Sequence, residues 1–229
     1  MQKYFLIVIA LITIPLMSFS QNNTNSNIIG QGDLSDGLWV ISQDNLRQIE
    51  GTPYLFDTWY QTGKIYFNDK VYTLNAFNYN IQAERFEAKI SDDSVFALNH
   101  GSFYKVEIKG KTFTRHLDPD YQRNTYFEDV VHFKDKQLLK KYTLKIKEGQ
   151  INPMTMQKIQ QDQYIKKEQY YILNDNTNQI DKIKLKKSTI LALVEEAKKA
   201  SVKAFAKENR LSFKNNNDVF KILNYYNSL

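Results

Sequence analysis

No cysteine occurs anywhere in the 229 residues. That absence excludes a disulfide framework, thiol catalysis, a cysteine zinc site and a lipid carried on an N-terminal cysteine. A Gly-x-Ser-x-Gly elbow, a His-Glu-x-x-His pair and a phosphate-binding loop are also missing. After Met17 no apolar run approaches the ~20 residues that a spanning helix needs. The formal charge of +6 is not gathered into a basic block, so nucleic acid is not an expected partner.

One apolar run does stand out, from Tyr4 to Met17, preceded by Lys3 and followed by Ser18-Phe19-Ser20. A single cation, a short apolar stretch and small residues before a cut site are the parts of a secretory signal peptide, which is expected over residues 1–20 with cleavage after Ser20. The chain is therefore expected to be exported, periplasmic or extracellular, without a transmembrane span once the signal is removed. Residues 21–36 are rich in Asn, Gln, Ser and Gly and read as a disordered leader. Gly30-Gln31-Gly32 within it has neither a preceding strand nor a third glycine, and so is not a phosphate cradle.

From residue 37 to 186 the dominant pattern is alternation of apolar and polar residues, broken by turn residues roughly every ten positions and enriched in aromatics, with fifteen Tyr and fourteen Phe. The spacing predicts about ten antiparallel strands. Hairpins are expected through Asn68-Asp69-Lys70, Asp92-Asp93, Lys109-Gly110-Lys111, Lys134-Asp135-Lys136 and Asn174–Asn178, with one long strand over Tyr79–Ile90. Cations alternate with apolar residues in Lys182–Lys186 and Lys145–Lys147, the period of a strand with one wet face. Segment Gly149–Asp162 is expected to be the longest loop, with the composition of a connector.

The period changes at Lys187. Ile190, Leu193, Val194, Ala197, Ala204 and Phe205 predict one amphipathic helix of roughly twenty residues capped by Ser188. A second helix is expected from Asn217 as N-cap, with Val219, Ile222, Leu223 and Tyr226 on one face and Leu211 and Phe213 anchoring the link. The expected architecture is thus mainly β with C-terminal α: an antiparallel meander forming a half-open barrel or a two-sheet sandwich, with two helices over residues 187–229 packed on it.

Few residues invite chemistry. Ser102-Phe103-Tyr104-Lys105 has a serine-lysine spacing, but in a strand residues three apart point to opposite faces. His116-Leu117-Asp118-Pro119-Asp120 is the richest polar constellation: His116, Asp118 and Asp120 could ligate a divalent metal or divide acid-base work. The same Asp-Pro-Asp run is what a turn requires. His100 and His132 lie far off, and pairs such as Glu84 with Glu87 carry no discriminating spacing. No motif elsewhere designates a catalytic, cofactor-binding or metal-ligating residue.

Gly51-Thr52-Pro53-Tyr54-Leu55, Gly63-Lys64-Ile65, Tyr79-Asn80-Ile81 and the ending Leu211-Ser212-Phe213-Lys214 through Asn224–Leu229 resemble a group of exported proteins of Bacteroidota. The resemblance implies a bacterial cell-envelope setting and a β-rich domain closed by short helices, with no activity attached. The leading expectation is a non-enzymatic binding or interaction module, whose partner is an apolar small molecule held in the barrel or another envelope protein. The alternatives are a metal- or carboxylate-dependent hydrolase centred on His116, Asp118 and Asp120, and an adaptor that uses its lysine-lined sheet for an anionic partner.

Overall fold

The computed structural model describes residues 37–41 by their backbone, and residues 49–67, 70–92, 94–99, 101 and 103–229. The expected signal peptide, the leader, the Gly30-Gln31-Gly32 run, the turn at Asn68-Asp69, Asp93, His100 and Ser102 lie outside the described residues. Among the described residues thirteen strands are formed: β1 Gly37–Ile41, β2 Ile49–Glu50, β3 Gly63–Phe67, β4 Lys70–Leu74, β5 Phe77–Asn80, β6 Arg85–Lys89, β7 Ser94–Leu98, β8 Lys105–Ile108, β9 Lys111–Asp118, β10 Arg123–Phe133, β11 Lys136–Lys147, β12 Asp162–Asn174 and β13 Gln179–Ile183. They make two sheets. The smaller runs β1-β7-β6-β5, and the larger runs β13-β12-β11-β10-β9-β8-β3-β4, with β2 added in parallel at the start of β12.

Several turns are closed by a residue in left-handed backbone, among them Lys109, Gln122, Lys134 and Asn178. Lys109 and Gly110, with φ of 50° and 72°, close β8 on β9 so that Ile108 faces Lys111. The expected long strand Tyr79–Ile90 is instead two, β5 and β6. A turn at residues 81–84 divides it, with the Asn80 side chain accepting the Ala83 N–H at 2.9 Å and Glu84 taking φ 51°. This turn contains neither Gly nor Pro, which is why alternation masked it.

Three apolar clusters organise the interior. In the first, Phe77, Tyr79, Phe86 and Phe96 of the small sheet meet Ile65, Val106, Phe113 and Tyr126 of the large one, with Phe86 and Tyr126 edge to face at 5.1 Å. A loop after β2 closes over it: Leu55 N–H donates to the Tyr79 carbonyl at 2.8 Å and Ile81 N–H to Pro53 at 2.9 Å, while fully buried Asn78 bonds Phe56 through both amide atoms. In the second, the C-terminal helices cover the other half of the large sheet, with Ile190, Val202, Val219, Ile222 and Leu223 against Val131, Phe133, Leu138 and Ile172. The third, Phe127, Leu139, Tyr171 and Leu173, fills the opposite face of the large sheet. The fold is a two-sheet sandwich capped by helices, and no barrel closes among the described residues.

The helical segment departs from expectation. The single twenty-residue helix is α1 Lys187–Ala192, a 3₁₀ turn Glu196–Lys198 and α2 Lys199–Glu208; α3 is Asn216–Asn227. At 100° per residue an unbroken helix would point Val202 about 120° away from Ile190. The break at Leu193–Glu195 brings both into the same core, where each is fully buried. Ser188 does not cap α1, whose N-cap position is Lys186 without a side-chain bond. The cap of α3 is Asn215 rather than Asn217, its Oδ1 accepting from Asn217 N at 2.9 Å and Asp218 N at 3.2 Å.

Candidate functional site

His116 and Asp118 sit at the end of β9, and Pro119-Asp120 begins the turn into β10. The turn is built as its residues dictate: Asp118 Oδ1 accepts the Asp120 N–H at 2.8 Å, and the Asp118 carbonyl accepts Gln122 N–H at 2.8 Å. The other carboxylate oxygen of Asp118 turns inward to Lys141 Nζ at 2.5 Å, with both side chains almost wholly removed from solvent. Lys141 also lies 3.3 Å from Glu84 and 4.8 Å above the Tyr121 ring, and Glu84 is held in turn by Arg123 at 3.0 Å and Thr125 at 2.9 Å. Asp120 Oδ2 takes the Lys182 ammonium at 2.5 Å and the Tyr171 hydroxyl at 3.0 Å. These two donors hold the Asp120 carboxyl below the ordinary carboxylate range, Lys182 contributing most. The β9–β10 turn is thereby latched to β12 and β13, and the large sheet curls around its third cluster.

His116 belongs to a different chain of contacts. Its Nε2 stands 2.8 Å from Thr114 Oγ1, which donates to Asp129 Oδ1 at 2.6 Å. One hydroxyl proton cannot serve both neighbours. With Asp129 ionised, it goes to the carboxylate, so the Nε2–H of neutral His116 donates to Thr114 and Nδ1 keeps its lone pair. Burial lowers the His116 pKa, and burial pushes the Asp129 carboxyl up to about 6 against the bonds from Thr114 and Gln137.

The three expected site residues therefore do not converge. His116 is tied to Thr114, Asp118 to Lys141, and Asp120 to Lys182 and Tyr171. Among the described residues no three His, Asp or Glu side chains are grouped to hold a metal ion. No family model, curated protein or solved structure matches the chain. The remaining motifs resolve locally: Lys105 is held by Glu107 at 3.0 Å, Glu87 binds the Tyr54 hydroxyl and Arg85 at 2.7 Å each, and His132 meets Asp175 at 2.7 Å.

Next to this turn the fold leaves an open groove of about 450 Å³ between the end of β9 and the β12–β13 turn. Arg115, His116, Gln122, Asn124, Asn178 and Gln179 are on its walls, which carry no carboxylate, and Arg115 Nε is buried without a hydrogen-bond partner. Along β9 the pairing with β8 stops at Thr114, so Arg115–Asp118 form a free outer edge among the described residues.

A second buried polar cluster was not legible in the sequence. Glu128, 6 % exposed, accepts Lys111 at 2.9 Å, Lys140 at 3.1 Å and a short bond from the Tyr142 hydroxyl, while Lys140 also reaches Glu168 at 3.5 Å. Burial and the neighbouring carboxylates raise the Tyr142 pKa far above the usual phenol range. Its members come from β9, β10, β11 and β12, brought opposite one another only by strand register.

Proposed function

We propose that the chain is an exported cell-envelope protein, of the kind found in Bacteroidota, that works by binding rather than by catalysis. Its site is the groove between β9 and the β12–β13 turn. The observation that carries this reading is the wall chemistry: an arginine, a histidine and four side-chain amides without an opposing carboxylate. Such a wall favours a ligand rich in hydrogen-bond acceptors and bearing a carboxylate or phosphate, with Arg115 supplying the charge-assisted contact.

Two features weigh against the other readings. The carboxylates of Asp118 and Asp120 each already hold an ammonium group, which leaves a hydrolase centred on His116, Asp118 and Asp120 without a free carboxylate to act as base or metal ligand beside the imidazole. For an apolar ligand, the space between sheet and helices is occupied by side chains such as Phe133, Leu138, Ile190, Val202 and Leu223.

Native mass spectrometry of the chain isolated from its own envelope fraction tests the proposal, alongside Arg115→Ala. A mass increment present only under native conditions and lost from Arg115→Ala is the expected result. Equal bare masses for both, with no thermal stabilisation of either by a panel of carboxylates and phosphates, would overturn it.

A further inference from the structure

The segment from Gly149 to Gln161 is not a slack connector. β11 pairs with β10 only from Lys136 to Lys140, yet its pairing with β12 continues to Lys147, opposite Gln163. Beyond that ribbon the chain folds into a finger. Asn152 Oδ1 accepts the Met154 and Thr155 N–H groups at 2.9 and 3.3 Å, Met156 N–H returns to the Asn152 carbonyl, and Met156 takes φ 56°. At the base, the fully buried Asp162 carboxylate accepts Gly149 N–H at 3.0 Å and Lys158 Nζ at 2.7 Å. Gly149 is obligatory there, since a Cβ would lie 1.9 Å from the Gln160 carbonyl oxygen.

This internally hydrogen-bonded finger presents apolar side chains to solvent: Met154 is 92 % exposed, Met156 77 %, Ile159 64 % and Ile151 52 %. Isolated exposed apolar residues are ordinary, but four within nine positions on one projecting tip are not. From Gly149 to Gln161 there is no acidic residue, and Lys158 is the single charge. Behind the tip, exposed Lys145, Lys147 and Lys167 have no ion-pair partner among the described residues; Glu50 and Glu148 are the neighbouring acids. An apolar tip ahead of a cationic ribbon face matches the layering of an anionic bilayer, where side chains enter the acyl boundary and ammonium groups stay among phosphates.

We infer that the finger is a peripheral membrane anchor that docks the protein on an anionic phospholipid surface. The bilayer is favoured over a protein partner because the strand register puts exposed Lys145, Lys147 and Lys167 on one face of the β11–β12 ribbon behind the apolar tip, so that one approach to an anionic surface engages both tip and lysines. Insertion needs no ordering of the segment, because Asn152, Asp162 and Gly149 already fix its shape. The inference is independent of the groove.

Co-sedimentation with vesicles of phosphatidylglycerol and phosphatidylethanolamine, against vesicles of phosphatidylcholine alone, tests it. The full chain should bind the anionic vesicles preferentially and progressively less as salt rises. Met154→Ser with Met156→Ser should weaken binding at least tenfold without changing the melting temperature, and each of Lys145→Glu and Lys147→Glu should weaken it about fivefold or more. The indole introduced by Met154→Trp should shift its fluorescence to the blue on the same vesicles. Absence of binding at low salt, or binding unaffected by the Met and Lys variants, would overturn the inference. So would an emission from the Met154→Trp variant that vesicles leave unshifted, or a wild-type dimer that the Met variants dissociate while vesicles are ignored.

Discussion

Asp118 and Lys141 form an ion pair of 2.5 Å with both side chains hidden from solvent, although 23 residues separate them in the chain. The attraction must offset the desolvation of both charges, so removing one leaves the other stranded. Asp118→Asn keeps the turn bond to Asp120 N–H but takes the close counter-charge from the buried Lys141 ammonium, leaving it only Glu84 at 3.3 Å. It should cost about 3 to 5 kcal/mol in urea unfolding. Replacing both, as Asp118→Leu with Lys141→Met, should recover most of that loss, and a double variant as unstable as the single one would refute the account.

Asp129 sets a pH dependence of unusual sign. Its folded pKa of about 6 lies above the ordinary aspartate value, so the folded state binds its proton more tightly than the unfolded chain does. Stability from this group is fully present below about pH 4 and is lost as pH rises through about 6. Asp129→Asn should therefore be roughly neutral at pH 4 and more stable than wild type by about 2 to 3 kcal/mol at pH 7.5. Urea titrations of both proteins at the two pH values measure the difference.

The Thr114 hydroxyl fixes the His116 tautomer. Nitrogen chemical shifts of the imidazole at pH 7.5 should report a protonated Nε2 and a bare Nδ1. In Thr114→Val the Nε2–H loses its acceptor and Asp129 loses a donor, so the two tautomers should mix and the Asp129 carboxyl should titrate still higher.

Gly149→Ala probes the base of the finger without touching the core. The added methyl collides with the Gln160 carbonyl, and Gly149 N–H must retreat from Asp162. Hydrogen exchange should accelerate over residues 149–161 and proteolysis should begin there. Amides of β10 and α3 should keep their protection.

Hairpins such as Ile108–Lys111 were readable because two adjacent residues had to tolerate positive φ and the flanks alternated. The turn after Asn80 was hidden because an Asn side chain and Glu84 perform the reversal that Gly or Pro usually signals. The helix break was hidden for another reason: Leu193, Val194 and Ala197 keep helical spacing locally, and only the azimuth of Val202 against the sheet demands interruption. At the site, the local half was legible, since Asp118-Pro119-Asp120 does make its turn. The partners were not. Lys141, Lys182 and Thr114 reach their carboxylates through register and curl, which no spacing in one sequence records.

Lys140 and Lys141 are consecutive, both nearly inaccessible, and sent to opposite faces of the same strand, one to Glu128 and the other to Asp118. A one-residue slip of β11 that moves Lys141 to the Glu128 side would set the Tyr142 ring before the Asp118 carboxylate, which would then be buried without a cation. Mispaired forms of the long β11–β12 ribbon thus carry an electrostatic fault as well as an apolar one. The two lysines thereby penalise that slip during folding.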